Sequence, residues 1–325
     1  MRKFDFIVAI HDNQNNDYDC RLRNLQFIID SISNDLHMIL IEHVKSNQER
    51  NFGEKLHFRD NVTYIKKIYD GEFNKGWLYN IGYKHSKTEN LILGEADINI
   101  PPLYLSKIDD FINKNNNIEW FICWDFIYYL DKDLFGYRLK TDRRGSLAKK
   151  PGAMGGLVYF KKSFYERIGG ANEWFERIGG IDQDLCRRAD YFSGYFKRMP
   201  GIIYHYWHPV NKWREESKSD DNEYYKDKTF FIYMVSENKN KDIFNRISTF
   251  SKEIGGDEPL CKKINIYDDI DKSKYMSRKE YEKMKKNKKI NTKKQIIRKK
   301  NRKILPENRV DLIRKKIKPI KRIFN

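Results

Sequence analysis

Gly169–Arg188 reads GGANEWFERIGGIDQDLCRR. Two glycine pairs, Gly169-Gly170 and Gly179-Gly180, bracket an aromatic-rich turn. Two carboxylates, Asp182 and Asp184, then open a helix expected over Asp182–Tyr191. Glycine pairs let backbone approach a ligand closely and enter turns closed to other residues. A second acidic station, Glu95-Ala96-Asp97, follows the apolar run Asn90–Leu93 and precedes Pro101-Pro102. The expectation is that the two stations, far apart in the chain, converge on one cleft around a cation.

Working outward, hydrophobic periodicity supplies the elements. Phe4–Ile10, His37–Ile41, Val62–Ile65, Asn90–Leu93, Gly156–Phe160 and Ile202–Tyr206 read as strands. Arg21–Ile32, Gly76–Ser86, Leu103–Ile112 and Lys161–Ile168 have helical spacing. Strands alternating with helices predict an α/β fold, a mostly parallel sheet flanked by helices. Ligands in such sheets bind beyond the carboxyl ends of strands, where His11, Asp12, Glu95 and Asp97 fall. From Trp120 the stretch WFICWDFIYYL is dense in aromatics, and the basic, glycine-containing segment Arg138–Gly152 reads as a mobile loop. Phe230–Val235 is apolar enough to pack back on the domain.

The chain has 325 residues and a net charge of +18, and that charge is unevenly placed. Residues 272–325 hold 23 Lys+Arg and 4 Asp+Glu, whereas residues 1–271 are close to neutral. Such a division describes a neutral body and a basic tail. The expected organisation is therefore a main domain over 1–215, a mixed extension over 216–271 and a basic, helical or disordered tail over 272–325. No run approaches the ~20 apolar residues needed to span a bilayer. The apolar run in MRKFDFIVAIH is too short for a signal-peptide core, so a cytoplasmic location is expected. The four cysteines, Cys20, Cys123, Cys186 and Cys261, show no metal-ligand spacing and are expected to be reduced, packed thiols.

The acidic stations suit two different tasks. A carboxylate at a strand end can hold a divalent cation that bridges phosphates and stabilises a leaving group. On its own such a motif is more often solvated surface; its place after LIL and before Pro-Pro raises it here. A carboxylate such as Asp182, behind two glycines, can take the proton of an attacking hydroxyl. Helix capping is the competing role, and it is strongest for Asp184. His205 and His208 flank Trp207 at the end of a late strand and are candidate manganese-type ligands. Their i, i+3 spacing in an extended segment would turn them to opposite faces, which argues against both holding one ion. Trp120, Trp124 and Trp174 are candidate sugar-stacking platforms, with core packing as the commoner role.

The segment Phe73-Asn74-Lys75-Gly76-Trp77-Leu78-Tyr79-Asn80-Ile81-Gly82 resembles the FNRxxLLNxG segment of the β-1,4-galactosyltransferase family. LILGEADINIPP resembles that family's strand ending in its DVD metal motif. Met154–Arg188 resembles its GG…F…NGF…WGWGGEDDDL…R segment, and IIYHYWHP stands where its metal histidine lies. The order holds over about residues 4–210, and bacterial glycan polymerase domains share the pattern.

The resemblance implies a GT-A-type, Rossmann-like fold. It also implies an inverting transfer from a nucleotide-diphosphate sugar, UDP-linked, to an acceptor hydroxyl with Mn²⁺ or Mg²⁺. By this match Asp97 and His205 or His208 hold the metal and Asp182 is the catalytic base. Donor contacts come from His11, Asp12, Lys75, Asn80, Glu95 and Asp97. Acceptor contacts come from Trp174, Asp182, Gln183 and Asp184. The first acid of DVD is Glu95 here, the acids flanking the base are Ile181 and Gln183, and the tryptophan before the glycines is Ile178. These departures keep open a second reading, a non-catalytic glycan- or nucleic-acid-binding protein on a decayed transferase scaffold.

The implied acceptor is a glycan or lipid-linked hydroxyl, in surface polysaccharide or glycolipid synthesis. The basic tail, with Ile, Leu and Phe between its lysines, is expected to lie on an anionic membrane surface. It carries no recognisable nucleic-acid-binding fold, so nucleic acid is not the expected partner.

Overall fold

A computed structural model describes residues 2–12, 18–48, 50–100, 102–130, 147–149, 154–177, 179–208 and 220–287. The chain divides into two compact units, residues 1–275 and residues 276–325.

The first unit is built on a six-stranded sheet in the order β3-β2-β1-β4-β9-β6. Its strands are β1 (Phe4–His11), β2 (Leu36–Val44), β3 (Val62–Ile68), β4 (Asn90–Gly94), β6 (Trp120–Ile122) and β9 (Leu157–Lys161). Only β9 runs against the others, so the sheet is mostly parallel. β1 and β2 are apolar almost throughout because parallel central strands are covered on both faces.

Two buried polar residues of β2, His37 and Glu42, have the partners that burial requires. His37 pairs with Asp5 at 2.6 Å and meets Thr63 at 2.8 Å. Glu42 accepts from the amides of Phe52 and Gly53 and from the Tyr64 hydroxyl at 2.7, 2.9 and 2.7 Å. Burial nevertheless raises the pKa of Glu42 above the usual carboxylate value.

A second sheet has four strands in the order β5-β10-β7-β8. These are β5 (Ile98–Asn99), β7 (Phe126–Tyr129), β8 (Leu147–Lys149) and β10 (Ile202–His205). Of the loop expected over Arg138–Gly152, only β8 lies among the described residues. It is a strand because it pairs antiparallel with β7.

The helices are α1 (Tyr18–Ser31), α2 (Lys75–His85), α3 (Pro102–Lys114), α4 (Lys162–Arg167), α5 (Ile181–Ser193), α6 (Asp220–Glu237) and α7 (Lys241–Thr249). α2 starts at Asn74, whose side chain accepts from the Trp77 amide at 2.9 Å, a standard N-cap contact. α5 starts at Gly180, held at φ +79 after Gly179 at φ +122. These left-handed values suit glycine alone among common residues, so the second glycine pair is a turn that aims α5.

The three candidate stacking tryptophans are corrected by the structure. Trp120, Trp124 and Trp174 are at most 2% exposed. Their indole N–H groups donate to Ser193 Oγ, Gly155 O and Ile264 O, so they are core residues with satisfied polar tips. Ile232 and Val235 of α6 are buried and join the main core with Ile243, Ile247, Ile254 and Leu260. Tyr275 closes this unit, with its ring against Phe231 and its hydroxyl accepting from Asn240 at 2.9 Å.

In the second unit the described residues form a helix over 278–287. A capping box opens it: the Ser277 amide donates to Glu280 Oε2 and the Glu280 amide to Ser277 Oγ. Among the described residues no helix is long and apolar enough to cross a membrane.

Candidate active site

Strand β1 pairs with β2 on one side and β4 on the other, so chain direction around the sheet reverses there. In parallel sheets the crevice at such a reversal, beyond the strand ends, is where ligands bind. Here it is a cleft of about 220 Å³, lined by His11 from β1, Arg21, Asn24 and Leu25 from α1, Phe52, Phe73, Lys75, Glu95, Ala96, Asp97 and His208.

Asp97 lies in the turn between β4 and β5, closed by the Ile98 amide donating to Glu95 O at 3.1 Å. β5 pairs with β10 so that Ile98 faces His205, and the Tyr206 amide donates to Asp97 O at 2.8 Å. Strand β10 ends at His205. His208 then reaches the same carboxylate. His205 Nε2 and His208 Nε2 stand 3.4 and 3.0 Å from Asp97 Oδ2.

The expectation that i, i+3 histidines face apart is therefore overturned, because the extended backbone ends between them. α1 holds the residues after the strand: Asn24 Nδ2 donates to Trp207 O at 2.9 Å, and Arg21 donates to His208 Nδ1 at 3.3 Å. Nothing in the helical periodicity of α1 marked Arg21 or Asn24 as site residues; their role comes from their contacts with His208 and Trp207.

One ligand atom from each of Asp97, His205 and His208 lies within 4.8 Å of the others. Asp97 Oδ1 is buried with no hydrogen-bond partner, an arrangement that costs free energy unless something occupies it. A carboxylate with two imidazoles suits manganese-type ions, so these residues fit a divalent cation. Burial opposes the charge of Asp97. The neighbouring His205 and His208 outweigh it and hold its pKa well below the usual carboxylate range.

Beside this triad Lys75 Nζ stands 3.1 Å from Glu95 Oε1 and 3.1 Å from Asp182 Oδ1. The two acidic stations thus meet through one ammonium group. Burial disfavours the charge of Lys75, but Asp182 and Glu95 overcome this and raise its pKa well above the ordinary value. Lys75 favours ionised Glu95 in turn. Burial and the Asp97 and Asp182 carboxylates outweigh that and raise the pKa of Glu95. Gly155 backs the Asp182 carboxylate: a Cβ there would fall 2.7 Å from Asp182 Oδ2. Gln183 is half-buried beside it.

At the other end of the cleft His11 stacks on His43 and Phe73, with ring centroids 4.7 and 5.4 Å away. Burial lowers the pKa of His11, and that of His43 to about 4, so both rings are neutral near pH 7. His43 and Phe73 were not predicted as site residues from the sequence, where the one lies beyond the expected strand His37–Ile41 and the other is part of a motif.

Four predicted site residues stand elsewhere. Asp12 is buried and ion-paired with Arg50 at 2.6 Å. Asn80 is buried, donating to Ala171 O and Glu173 Oε1 at 2.8 Å each. Trp174 is in the core. Asp184 is fully buried and bonded at 2.8 Å to Arg188, which also donates to the carbonyls of Ile168 and Gly170. Each has a packing role in this structure, in place of the expected ligand contact.

The family model described as the N-terminal domain of galactosyltransferase matches residues 146–212. A search of curated proteins gives no match. Several solved structures are similar. Drosophila β1,4-galactosyltransferase 7, in complex with manganese, UDP-Gal and xylobiose, is 9% identical over 69% of this chain and 79% of its own, with a TM-score of 0.39. The mannosyltransferase PcManGT from Pyrobaculum calidifontis, with GDP-Man and Mn²⁺, is 13% identical over 77% and 70%, with a TM-score of 0.43. S. aureus TarS with UDP-GlcNAc is 12% identical over 81% and 76%, with a TM-score of 0.45. The segment matched by the family model carries Asp182, His205 and His208, the residues that the structure brings against Lys75 and Asp97, so over those residues the chain is similar to a galactosyltransferase domain.

Proposed function

We propose that this chain is a metal-dependent, inverting glycosyltransferase that moves a sugar from a UDP-linked donor to a hydroxyl of a glycan or lipid-linked acceptor. The single observation that carries the reading is the convergence of Asp97, His205 and His208 with the Lys75-bridged pair Glu95 and Asp182. A divalent cation held by the triad supplies Lewis-acid neutralisation of a departing diphosphate. Lys75 adds a second positive charge on the donor side, and the ring stack of His11 and Phe73 offers a flat apolar wall. Glu95 faces Lys75 from the donor side and accepts hydroxyl hydrogen bonds.

Asp182 takes the proton of the attacking hydroxyl. In this structure Lys75 holds Asp182 as well as Glu95, so an incoming diphosphate competes with Asp182 for the ammonium group and leaves the base less neutralised. Inversion follows from direct displacement, with acceptor and leaving group on opposite sides of the anomeric carbon.

A thermal-shift screen of nucleotide sugars with Mn²⁺ tests the reading, because a ligand that binds the folded state raises its melting temperature. A UDP-sugar is expected to give a shift that EDTA removes. No Mn²⁺-dependent shift with any nucleotide sugar would sink it.

The basic second unit is assigned to an anionic membrane surface, where each lysine or arginine near the surface contributes ~1 kcal/mol. The full chain is expected to co-sediment with phosphatidylserine vesicles and not with neutral ones. A chain ending at Tyr275 should lose that binding. Equal sedimentation of both chains would remove the membrane assignment.

A further inference from the structure

We propose that Arg177 is a positioning residue that latches the turn leading into Asp182 to the Glu72–Lys75 segment, so that the base and Lys75 are held at their working distance; this rests on the functional reading above. Arg177 has φ +64, the left-handed region that a residue with a side chain seldom adopts. Strained backbone of this kind persists where surrounding contacts over-determine it, and it gathers at functional sites.

The contacts here are specific. The Arg177 amide donates to Phe73 O at 2.7 Å. Its guanidinium grips the Glu72 carboxylate with two bonds, Nε to Oε2 at 2.8 Å and a terminal nitrogen to Oε1 at 3.1 Å. A fork of this type fixes direction as well as distance.

The place of the latch gives it its consequence. Two residues beyond Arg177 the Gly179-Gly180 turn begins, and it aims α5 and Asp182. Two residues beyond Phe73 stands Lys75. The same two segments also touch where Asn74 Nδ2 donates to Glu173 O at 2.6 Å. At Gly76 a Cβ would lie 2.5 Å from Asn172 O. The Lys75–Asp182 contact of 3.1 Å is thus the far end of a seam between donor-side and acceptor-side segments, and Arg177 is its one left-handed non-glycine member among the described residues. A role in stability alone would be met better by glycine at this φ. What glycine lacks is the fork to Glu72.

The experiment uses the full chain and the variants Arg177→Gly, Arg177→Lys and Glu72→Gln. Arg177→Gly relieves the backbone strain and is expected to keep the melting temperature at or above that of wild type. Mn²⁺-dependent turnover of a UDP-sugar should fall by ~10²-fold, as for a reacting group displaced by about 1 Å. Affinity for UDP with Mn²⁺ should fall by less than ~10-fold, because the metal triad lies outside the two latched segments. Glu72→Gln should show the same split in milder form, and Arg177→Lys should restore part of the turnover by keeping the charge.

Amide hydrogen exchange over residues 179–184, read without substrate, is expected to quicken by ~10-fold in Arg177→Gly and Glu72→Gln as local opening becomes easier. Unchanged exchange in both variants, or full turnover in both, overturns the latch. Absence of Mn²⁺-dependent UDP release from wild type overturns the transferase reading instead, and the exchange measurement then decides the latch by itself.

Discussion

Asp182→Asn is expected to lower the rate of sugar transfer by ~10²–10⁴-fold, the usual contribution of a positioned general base. The amide has the shape of the carboxylate but cannot take up a proton from an acceptor hydroxyl. Lys75 keeps its contact with Glu95 at 3.1 Å, so the donor side retains its positive charge. Affinity for UDP with Mn²⁺, measured by calorimetry, should therefore change by no more than about twofold. The loss should appear in kcat with the donor KM nearly constant, the pattern of a group that acts in the transition state. A fully active Asp182→Asn enzyme would remove Asp182 from the role of base.

Asp97→Ala is expected to abolish Mn²⁺-dependent release of UDP, with kcat/KM down by ~10³-fold or more. Lewis-acid stabilisation of a leaving phosphate amounts to several kcal/mol, and each 1.36 kcal/mol is tenfold in rate. The alanine removes the one carboxylate of the triad and leaves His205 and His208 facing each other, with ring centroids 5.4 Å apart, without an anion between them. Titration of the protein into Mn²⁺ followed by electron paramagnetic resonance should show free ion throughout. EDTA treatment of wild type should reproduce the kinetic loss. Metal-dependent UDP release that survives in Asp97→Ala would place the cation elsewhere.

Much of the fold is legible along the chain. FDFIVAI and MILIE are continuous apolar runs because the strands they form are covered on both faces, and such runs identify buried parallel strands without tertiary information. The helix over Gly76–Ser86 is visible from spacing and is found at Lys75–His85. Glu95 and Asp97 stand where an apolar run stops, so their place at a strand's carboxyl end follows from the pattern alone.

The C-terminal segment is legible only in part. Phe230–Val235 announces itself as apolar. Nothing along the chain shows that Glu173 accepts from the amides of Gly255 and Leu260, or that Glu176 meets Lys228 and Lys262. Those pairings span many residues of sequence and join the loop before α5 to the C-terminal part of this unit.

Local chemistry, then, settles which residue types stand at strand ends and helix starts, since hydrophobic period and turn preference act over a few residues. Direction in space is another matter. Asp182 and Asp184 are two residues apart on one helix, about 200° around it, and composition cannot say which of them turns inward. Arg188, one helical turn beyond Asp184, takes that carboxylate into the core and leaves Asp182 to Lys75. In the same way contacts from α1 hold Trp207 and His208 where His208 meets Asp97, and three tryptophans that suit a sugar face are consumed by packing. Side-chain direction is set by contacts distant along the chain, and only the assembled structure supplies them.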